Sequence, residues 1–213
     1  MLAGGQSSRM GRDKAQLPFR DTTLLKHALG TLRSAGFTPA VAGLRGDETL
    51  ISPCVAPCIP DTFVDAGPLG GIEAALRSLS DQPPQPVLFV PVDLPLLPKE
   101  FLEILFERAA HSGAWATIPF ATGRPQPLCA VYDSSLAGGI AKALANGDRK
   151  VMRVLRKLAP GQHFDSMRVE ALVPLHHWKD AHRWFTNLNT PADWEALASA
   201  TAEQKHLVST EAQ

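Results

Sequence analysis

The chain lacks the compositional features that mark several specialised classes of protein. Its three cysteines in 213 residues are an odd number, which argues against a disulfide framework and fits a reducing cytoplasm. The 21 Lys and Arg residues balance the 21 Asp and Glu residues, so no charge excess points to nucleic acid. No apolar run approaches the roughly 20 residues of a membrane helix, and the N-terminus lacks the apolar core of a signal peptide. We therefore expect a cytoplasmic protein with no nucleic-acid or membrane partner.

The remaining composition is that of an ordinary globular protein. Hydrophobic residues make up 45% of the chain, and this length suffices for one domain with a sizeable core. Residues 201–213 are polar and have little to bury, which predicts a disordered tail. We expect a single domain over residues 1–200.

Helix-like and strand-like segments alternate along this domain. Helical spacing of apolar residues occurs in six segments, at 23–35, 69–79, 99–110, 134–145, 151–158 and 191–200. Strand-like patterns occur in seven, at 38–44, 54–59, 86–92, 114–119, 127–132, 172–175 and 184–187. The alternation predicts an α/β fold. The nearly continuous apolar run at 86–92 is typical of a central parallel strand covered on both faces.

The segment at 2–14, L-A-G-G-Q-S-S-R-M-G-R-D-K, is suited to binding a polyanion. Gly4 and Gly5 allow backbone N–H groups to turn toward phosphate oxygens. Arg9 and Lys14 can add charge-assisted hydrogen bonds to the same oxygens. The alternative is a glycine-rich turn with solvated charges. The spacing matches neither the common P-loop nor the dinucleotide-binding glycine motif.

A carboxylate follows the apolar run directly, at Asp93. Ligands of open α/β sheets bind beyond the carboxyl ends of the strands. Carboxylate oxygens suit Mg²⁺, which usually takes one or two of them together with substrate phosphates and water. The alternative role is a helix N-cap, but Asp93 lies too far from the helix that begins near Lys99. We therefore expect Asp93 to be a metal ligand.

The motif at 2–14 resembles that of the molybdenum cofactor guanylyltransferases, and more loosely that of sugar-phosphate and cytidylyl transferases. The resemblance extends to about residue 197 and implies a Rossmann-like, three-layer nucleotidyltransferase domain with a mostly parallel central sheet. It implies that the first loop binds a nucleoside triphosphate and that its lysine contacts the phosphates. The residues that carry these roles are Leu2, Ala3, Gly4, Gly5, Arg9 and Lys14.

Further motifs extend the resemblance. The G-P-L-x-G turn beginning at Gly67 is implied to face the base and ribose, with Asp61 near the nucleotide and Asp65 as the second choice. An Asp that merely caps a turn is the alternative for Asp61. The family's Asp-x-Pro, which holds the metal, is matched by Asp93 and Pro95.

The second half of the chain matches family segments at 123–127, 147–152 and 187–191. The cations of the first two segments, Arg124, Arg149 and Lys150, are implied to contact the phosphate of a pterin acceptor. Arg149 and Lys150 could instead simply open a solvated helix. The third segment is implied to close the site, with Asn189 as a ligand contact.

The resemblance implies transfer of GMP from GTP to the phosphate of the molybdenum-pterin cofactor, with release of pyrophosphate and with Mg²⁺ as cofactor. Transient contact with molybdoenzymes or their chaperones would follow. The alternatives are a cytidylyltransferase acting on the same pterin, a sugar- or polyol-phosphate transferase, and a non-catalytic cofactor-binding chaperone. The Gly-Gly pair at 4–5 and the turn at 67–71 favour guanine, and the presence of Lys14 and Asp93 argues against the chaperone.

Two positions depart from the family pattern. Only Met1 and Leu2 stand where the family has an apolar strand, and we expect the true start to lie upstream. The segment at 42–44, Ala-Gly-Leu, replaces a strand end that often offers an asparagine to the nucleotide.

Overall fold

The computed structural model describes residues 1–3, 14–43, 56–158, 164–169, 181, 183–188 and 193. The helices are α1 (Leu24–Ser34), α2 (Pro68–Arg77), α3 (Lys99–Ser112), α4 (Ala137–Ala145) and α5 (Val151–Leu158). The strands are β1 (Pro18–Phe19), β2 (Thr22–Thr23), β3 (Val41–Ala42), β4 (Cys58–Ile59), β5 (Pro86–Phe89), β6 (Ala116–Ala121), β7 (Arg124–Pro125), β8 (Ala130–Asp133) and β9 (Phe164–Arg168). Short 3-10 helices form at Lys14–Gln16 and Ser134–Leu136. In the described part of the chain, no helix is long and apolar enough to span a bilayer.

Local sequence signals explain both ends of α1. Thr23 caps the helix, and its Oγ1 accepts a hydrogen bond from the backbone N–H of Lys26 at 3.3 Å. The helix ends at Ser34, and Gly36 follows the C-cap Ala35 with a φ of 80° that glycine reaches easily. There the N–H of Phe37 donates to the carbonyl of Leu32 at 3.0 Å, as in a Schellman motif. The helix predicted at 23–35 is thus confirmed.

The strands form a mixed arrangement. In the larger sheet, β8 pairs antiparallel with β5 and β6, β7 pairs antiparallel with β6, and β9 pairs parallel with β6. A separate pair, β3 and β4, is parallel. The expectation of a mostly parallel central sheet is therefore not confirmed over the described residues. The chain reverses after β6 through Thr122 and Gly123, whose φ values of 52° and 76° make a tight turn.

The first three residues connect these two groups of strands. Leu2 donates its N–H to Val90 O at 2.8 Å and accepts from the N–H of Val92 at 3.0 Å. On its other side, Ala3 donates to Ala42 O at 3.0 Å. Both pairings of Leu2 are parallel. Although only three residues long, this segment pairs as a strand between β3 and residues 90–92, which extend β5.

Apolar side chains form one core on each face of the sheet. Helices α1 and α3 contribute to one core through residues such as Leu29 and Phe101. Helices α2, α4 and α5 contribute to the other. Consecutive residues of β8 enter opposite cores, with Val131 in the first and Ala130 and Tyr132 in the second, as the two-residue period of a strand requires. The molecule is thus an α/β structure with helices on both sides of its strands.

Some elements differ from the sequence-based expectation. Strand β9 and the β1–β2 hairpin were not predicted, because neither has the alternating apolar pattern of a strand. The strand expected at 184–187 is wrong, since Trp184 is helical. The segments expected at 172–175 and 191–200 and the tail at 201–213 lie outside the described residues, apart from Asp193, which is helical.

Candidate active site

Four neighbouring parallel segments end at one edge of the structure. These are residues 1–3, β3, β4 and the extension of β5 through Val92, whose pairings are all parallel. Their carboxyl ends lead into the glycine-rich loop after Ala3, into Gly43, into Asp61 and into Asp93. We call this the carboxyl edge. The structure thus brings Ala3, Asp61 and Asp93 to one edge, and ligands of open sheets bind beyond such strand ends.

Asp93 lies half-buried at this edge. Its backbone carbonyl accepts a hydrogen bond from Leu188 N–H at 3.1 Å, which ties the late segment at 183–188 to the site. Across the described ranges, no cluster of three or more His, Cys, Asp or Glu side chains could enclose a metal ion. Mg²⁺ usually takes one or two carboxylates together with substrate phosphates and water. The carboxylate of Asp93 fits such an ion.

His27 supports the turn that follows Asp93. Its Nε2 lies 3.0 Å from the carbonyl oxygen of Pro95, and because a carbonyl only accepts, Nε2 carries the proton. The ring also packs on Phe19, with centroids 4.6 Å apart. Burial lowers the pKa of His27 below its usual value, the Pro95 hydrogen bond opposes this shift, and the charge of Arg20 adds to it. His27 thus joins the β1–β2 hairpin to the Asp93 turn, a role that its place in a helix did not reveal.

The turn before α2 packs directly against the carboxyl edge. Gly67 caps the helix with a φ of 65°, and Pro68 follows at the first helical position. A Cβ on Gly71 would lie 3.2 Å from Gly43 N and 3.3 Å from Leu2 Cδ2. The absence of side chains therefore lets the first turn of α2 approach the strand ends. Helix N-termini carry unpaired N–H groups and partial positive charge that favour anions.

Asp61 lies close to the same helical turn. It is half-buried, and its Oδ2 would lie 3.5 Å from a Cβ on Gly70. Asp65, the second choice, is exposed and has a φ of 55°. The structure therefore places Asp61, Gly67 and the strand end at Ala3 around one region, with Asp61 more enclosed than Asp65.

The cations predicted to contact the acceptor are exposed and lie next to turns. Arg124 follows the turn between β6 and β7, and Arg149 and Lys150 precede α5. Asp148 holds the second of these turns, since its Oδ2 accepts from Lys157 Nζ at 2.9 Å. Its Oδ1 accepts from Arg153 Nε at 2.8 Å. Hydrogen bonds lower the pKa of Asp148 to about 2, and the one from Lys157 contributes most. Burial opposes this shift. The sequence pattern does not predict this role for Asp148.

Four predicted site residues lie outside the described part of the chain, and a fifth, Lys14, begins a described range. Gly4, Gly5, Arg9 and Asn189 lie outside the described residues. Lys14 opens the 3-10 helix at Lys14–Gln16, immediately before the hairpin that contacts His27. Their roles stay predictions.

Comparison with known proteins identifies the family. Residues 1–163 match the MobA-like NTP transferase domain. A probable molybdenum cofactor guanylyltransferase from Opitutus terrae is 34% identical over 193 residues, which cover 91% of this chain and 90% of that protein. The crystal structure of molybdopterin-guanine dinucleotide biosynthesis protein A from Archaeoglobus fulgidus is 24% identical, with a TM-score of 0.73 and coverage of 95% of this chain and 97% of that chain.

A more distant structure has the same fold. Rv0371c from Mycobacterium tuberculosis H37Rv, in complex with manganese, is 17% identical, with a TM-score of 0.55 and coverage of 92% of this chain and 94% of that chain. The agreement in fold and the match over residues 1–163 lead to one conclusion. This chain belongs to the MobA-like NTP transferase family.

Proposed function

We propose that this protein transfers GMP from GTP to the phosphate of the molybdenum-pterin cofactor, forming its guanine dinucleotide and releasing pyrophosphate. The observation that carries the proposal is the convergence of Ala3, Asp61 and Asp93 at the carboxyl edge, beside the glycine turn of α2. Family membership and the name of the Opitutus relative support the choice of GTP and of this acceptor.

The reaction requires positioning and charge neutralisation more than covalent help from the protein. An oxygen of the acceptor phosphate attacks the α-phosphorus of GTP. A new P–O bond forms, and the bond from the α-phosphorus to the oxygen bridging to the β-phosphate breaks. Pyrophosphate leaves with that electron pair. No general base is needed, because a phosphate nucleophile is already ionised at pH 7.

The residues of the first loop bind the triphosphate. Backbone N–H groups at Gly4 and Gly5 contact phosphate oxygens, and Arg9 and Lys14 stabilise the negative charge that develops on the leaving pyrophosphate. Asp93 would hold Mg²⁺, and the ion would supply further neutralisation of the phosphate oxygens. His27 fixes the turn after Asp93 through Pro95.

The remaining predicted residues contact the nucleoside and the phosphate of the pterin. Asp61 and the turn at Gly67 face the nucleoside, and Asn189 closes the site. Arg124, Arg149 and Lys150 bind the phosphate of the pterin, and the exposure of all three leaves them accessible to a second substrate. The transfer of the finished cofactor would then involve transient contact with a molybdoenzyme or its chaperone.

Isothermal titration of GTP, CTP and ATP, each with Mg²⁺, tests the nucleotide half of this proposal. We expect selective GTP binding, weakened about 10- to 100-fold in Lys14→Ala because a charge-assisted hydrogen bond is lost. Lys142→Ala, a change on the exposed surface of α4, is the matched control and should bind GTP as the unmodified protein does. Preference for CTP would move the assignment to the cytidylyltransferases, and a folded protein that binds no nucleotide would favour the chaperone.

The metal role is tested in the same preparations. We expect Asp93→Asn to lower GMP transfer by about 100-fold or more. Electron paramagnetic resonance of Mn²⁺ with GTP should show weaker ion binding in this variant. Unchanged turnover and unchanged Mn²⁺ binding would remove Asp93 from the metal site.

A further inference from the structure

The loop that carries Asp61 is packed tightly against the start of α2. This segment, residues 61–66, which we call the Asp61 loop, leads from β4 to the cap of the helix. A Cβ on Gly70 would lie 2.8 Å from Ala66 Cβ and 3.6 Å from Phe63 O. The loop therefore touches the helix at a position where only glycine leaves enough room.

A second contact ties the same loop to the helix two turns further on. Arg77, near the end of α2, donates a hydrogen bond from Nη2 to Thr62 Oγ1. Its Nε lies 3.1 Å from Oε1 of Glu73, one turn earlier on the helix. Glu73, Arg77 and Thr62 thus form a continuous polar connection, the Glu73–Arg77–Thr62 link, that ends beside Asp61.

The burial of Glu73 is unusual for a residue that only stabilises a helix. Its side chain has no exposed surface, whereas that of Arg77 is 53% exposed. Among the described residues neither Oε1 nor Oε2 accepts a hydrogen bond, so its contact with Arg77 is an ion pair. Burying a carboxylate is costly unless it is paired, and an i,i+4 pair with an exposed arginine returns little stability. The pair places the Arg77 guanidinium between Glu73 Oε1 and Thr62 Oγ1, with Nε toward the first and Nη2 toward the second.

We propose that Glu73 and Arg77 are positioning residues that set the Asp61 loop for nucleotide binding. The inference rests on the proposed function, in which Asp61 lies against the nucleotide. Glu73 orients Arg77, Arg77 holds Thr62 by its hydroxyl, and the peptide adjoining Asp61 is fixed as a result. Binding then requires less ordering of the loop, because its conformation already exists in the free protein.

Thr62→Val provides the sharpest test, since valine keeps the branched shape but cannot accept the hydrogen bond from Arg77. Thr62 is exposed, so this change should leave folding intact. We expect the dissociation constant and the KM for GTP to rise about 5-fold, the equivalent of one hydrogen bond, with little change in kcat or in the melting temperature. Thr62→Ser, which keeps the hydroxyl, should restore the affinity.

Two further variants act on the other members of the link. Arg77→Met keeps an apolar stem but donates no hydrogen bond, and Glu73→Gln removes the charge that orients Arg77. Both variants should raise the KM for GTP, as Thr62→Val does. Hydrogen exchange in the free protein should be faster at the amides of residues 61–66 in Thr62→Val, a change that a merely structural role would not confine to this loop.

The outcomes separate this inference from the function on which it rests. If GTP affinity and loop exchange in Thr62→Val equal those of the unmodified protein, the positioning role is wrong. A loss of affinity in Asp61→Asn under those conditions would leave the proposed function standing. If the unmodified protein fails to bind GTP, the proposed function fails, and the positioning role fails with it.

Discussion

Gly71 lies where the first turn of α2 meets the strand ends, and it shows how a single missing side chain shapes the site. A Cβ there would approach the backbone of Gly43 to 3.2 Å and Leu2 Cδ2 to 3.3 Å, closer than most real contacts. Gly43 itself has a φ of 79°, a conformation that glycine adopts without strain. Close packing at this point depends on both glycines.

We therefore expect Gly71→Ala to lower the free energy of unfolding by about 1–3 kcal/mol, because the added methyl group must displace backbone. Gly30→Ala is the matched control in α1, where a Cβ would meet nothing within 4 Å. It should raise the free energy of unfolding by about 0.5–1 kcal/mol, the gain expected for alanine over glycine within a helix. Denaturant unfolding measures both changes, and equal stability of the two variants would contradict the close approach at Gly71.

At the scale of secondary structure, α5 is stabilised at its start by one carboxylate. Asp148 has a side chain only 9% exposed and forms ion pairs with Arg153 and Lys157 of the helix. It also accepts a hydrogen bond from the N–H of Lys150 at 3.4 Å. The helix therefore begins next to a fixed turn. Six cations lie in the segment from residue 142 to residue 157, and Asp148 offsets part of their mutual repulsion.

The low pKa of Asp148 predicts acid sensitivity in a defined range. Because the pKa is about 2 in the folded protein and near 3.8 for a free side chain, the unfolded state binds the proton first as the pH falls. The stability that Asp148 contributes is therefore present above about pH 4 and is lost as the pH approaches 2. Thermal melting between pH 5 and pH 2 should show a smaller pH dependence in Asp148→Asn than in the unmodified protein.

Asp81→Asn is the control for this experiment, since Asp81 is an exposed residue of the turn after α2. It should leave the acid profile unchanged. Identical profiles for all three proteins would show that the ion pairs of Asp148 do not contribute to stability in solution.

At the scale of the whole molecule, residues 1–3 hold the two groups of strands together. They lie between β3 and the extension of β5 and form hydrogen bonds on both sides. The amino group of Met1 is buried and lies 3.0 Å from Ala40 O. Beside it is a cavity of about 290 Å³, lined largely by apolar side chains such as Phe37, Leu88 and Phe106.

Burial of this amino group predicts a pH dependence of folding in a protein that begins at Met1. Burial lowers the pKa of the group from 8.0 to about 5, so between these values the unfolded state carries a proton that the folded state lacks. The free energy of unfolding should be highest above pH 8. It should fall by up to about 4 kcal/mol as the pH drops to 5. Denaturant unfolding at pH 5.5 and pH 8 measures the difference.

A protein with two residues added before Met1 has a neutral amide in place of the ammonium group. The loss of stability toward pH 5 should shrink in this version. The contribution of His27, whose pKa is lowered in the same direction, remains in both and serves as an internal reference. Equal pH dependence with and without the added residues would show that the amino group is not buried in solution.

The sequence by itself determined the family, the motifs and the five helices α1 to α5. Helix signals are local: the cap at Thr23, the period of α1 and the glycine at 36 lie within one short segment. The site predictions for the glycine-rich loop and for Asp93 also rest on neighbours in the chain, and they stay predictions.

Only the tertiary structure decided how the strands pair and which side chains support the site. The antiparallel pairing of β8 with β5 and the parallel pairing of β9 with β6 join distant segments, and no local pattern encodes direction or partner. The contact of His27 with Pro95 and that of Arg77 with Thr62 likewise cross between elements. Such contacts depend on how whole elements pack, and packing is a property of the folded chain.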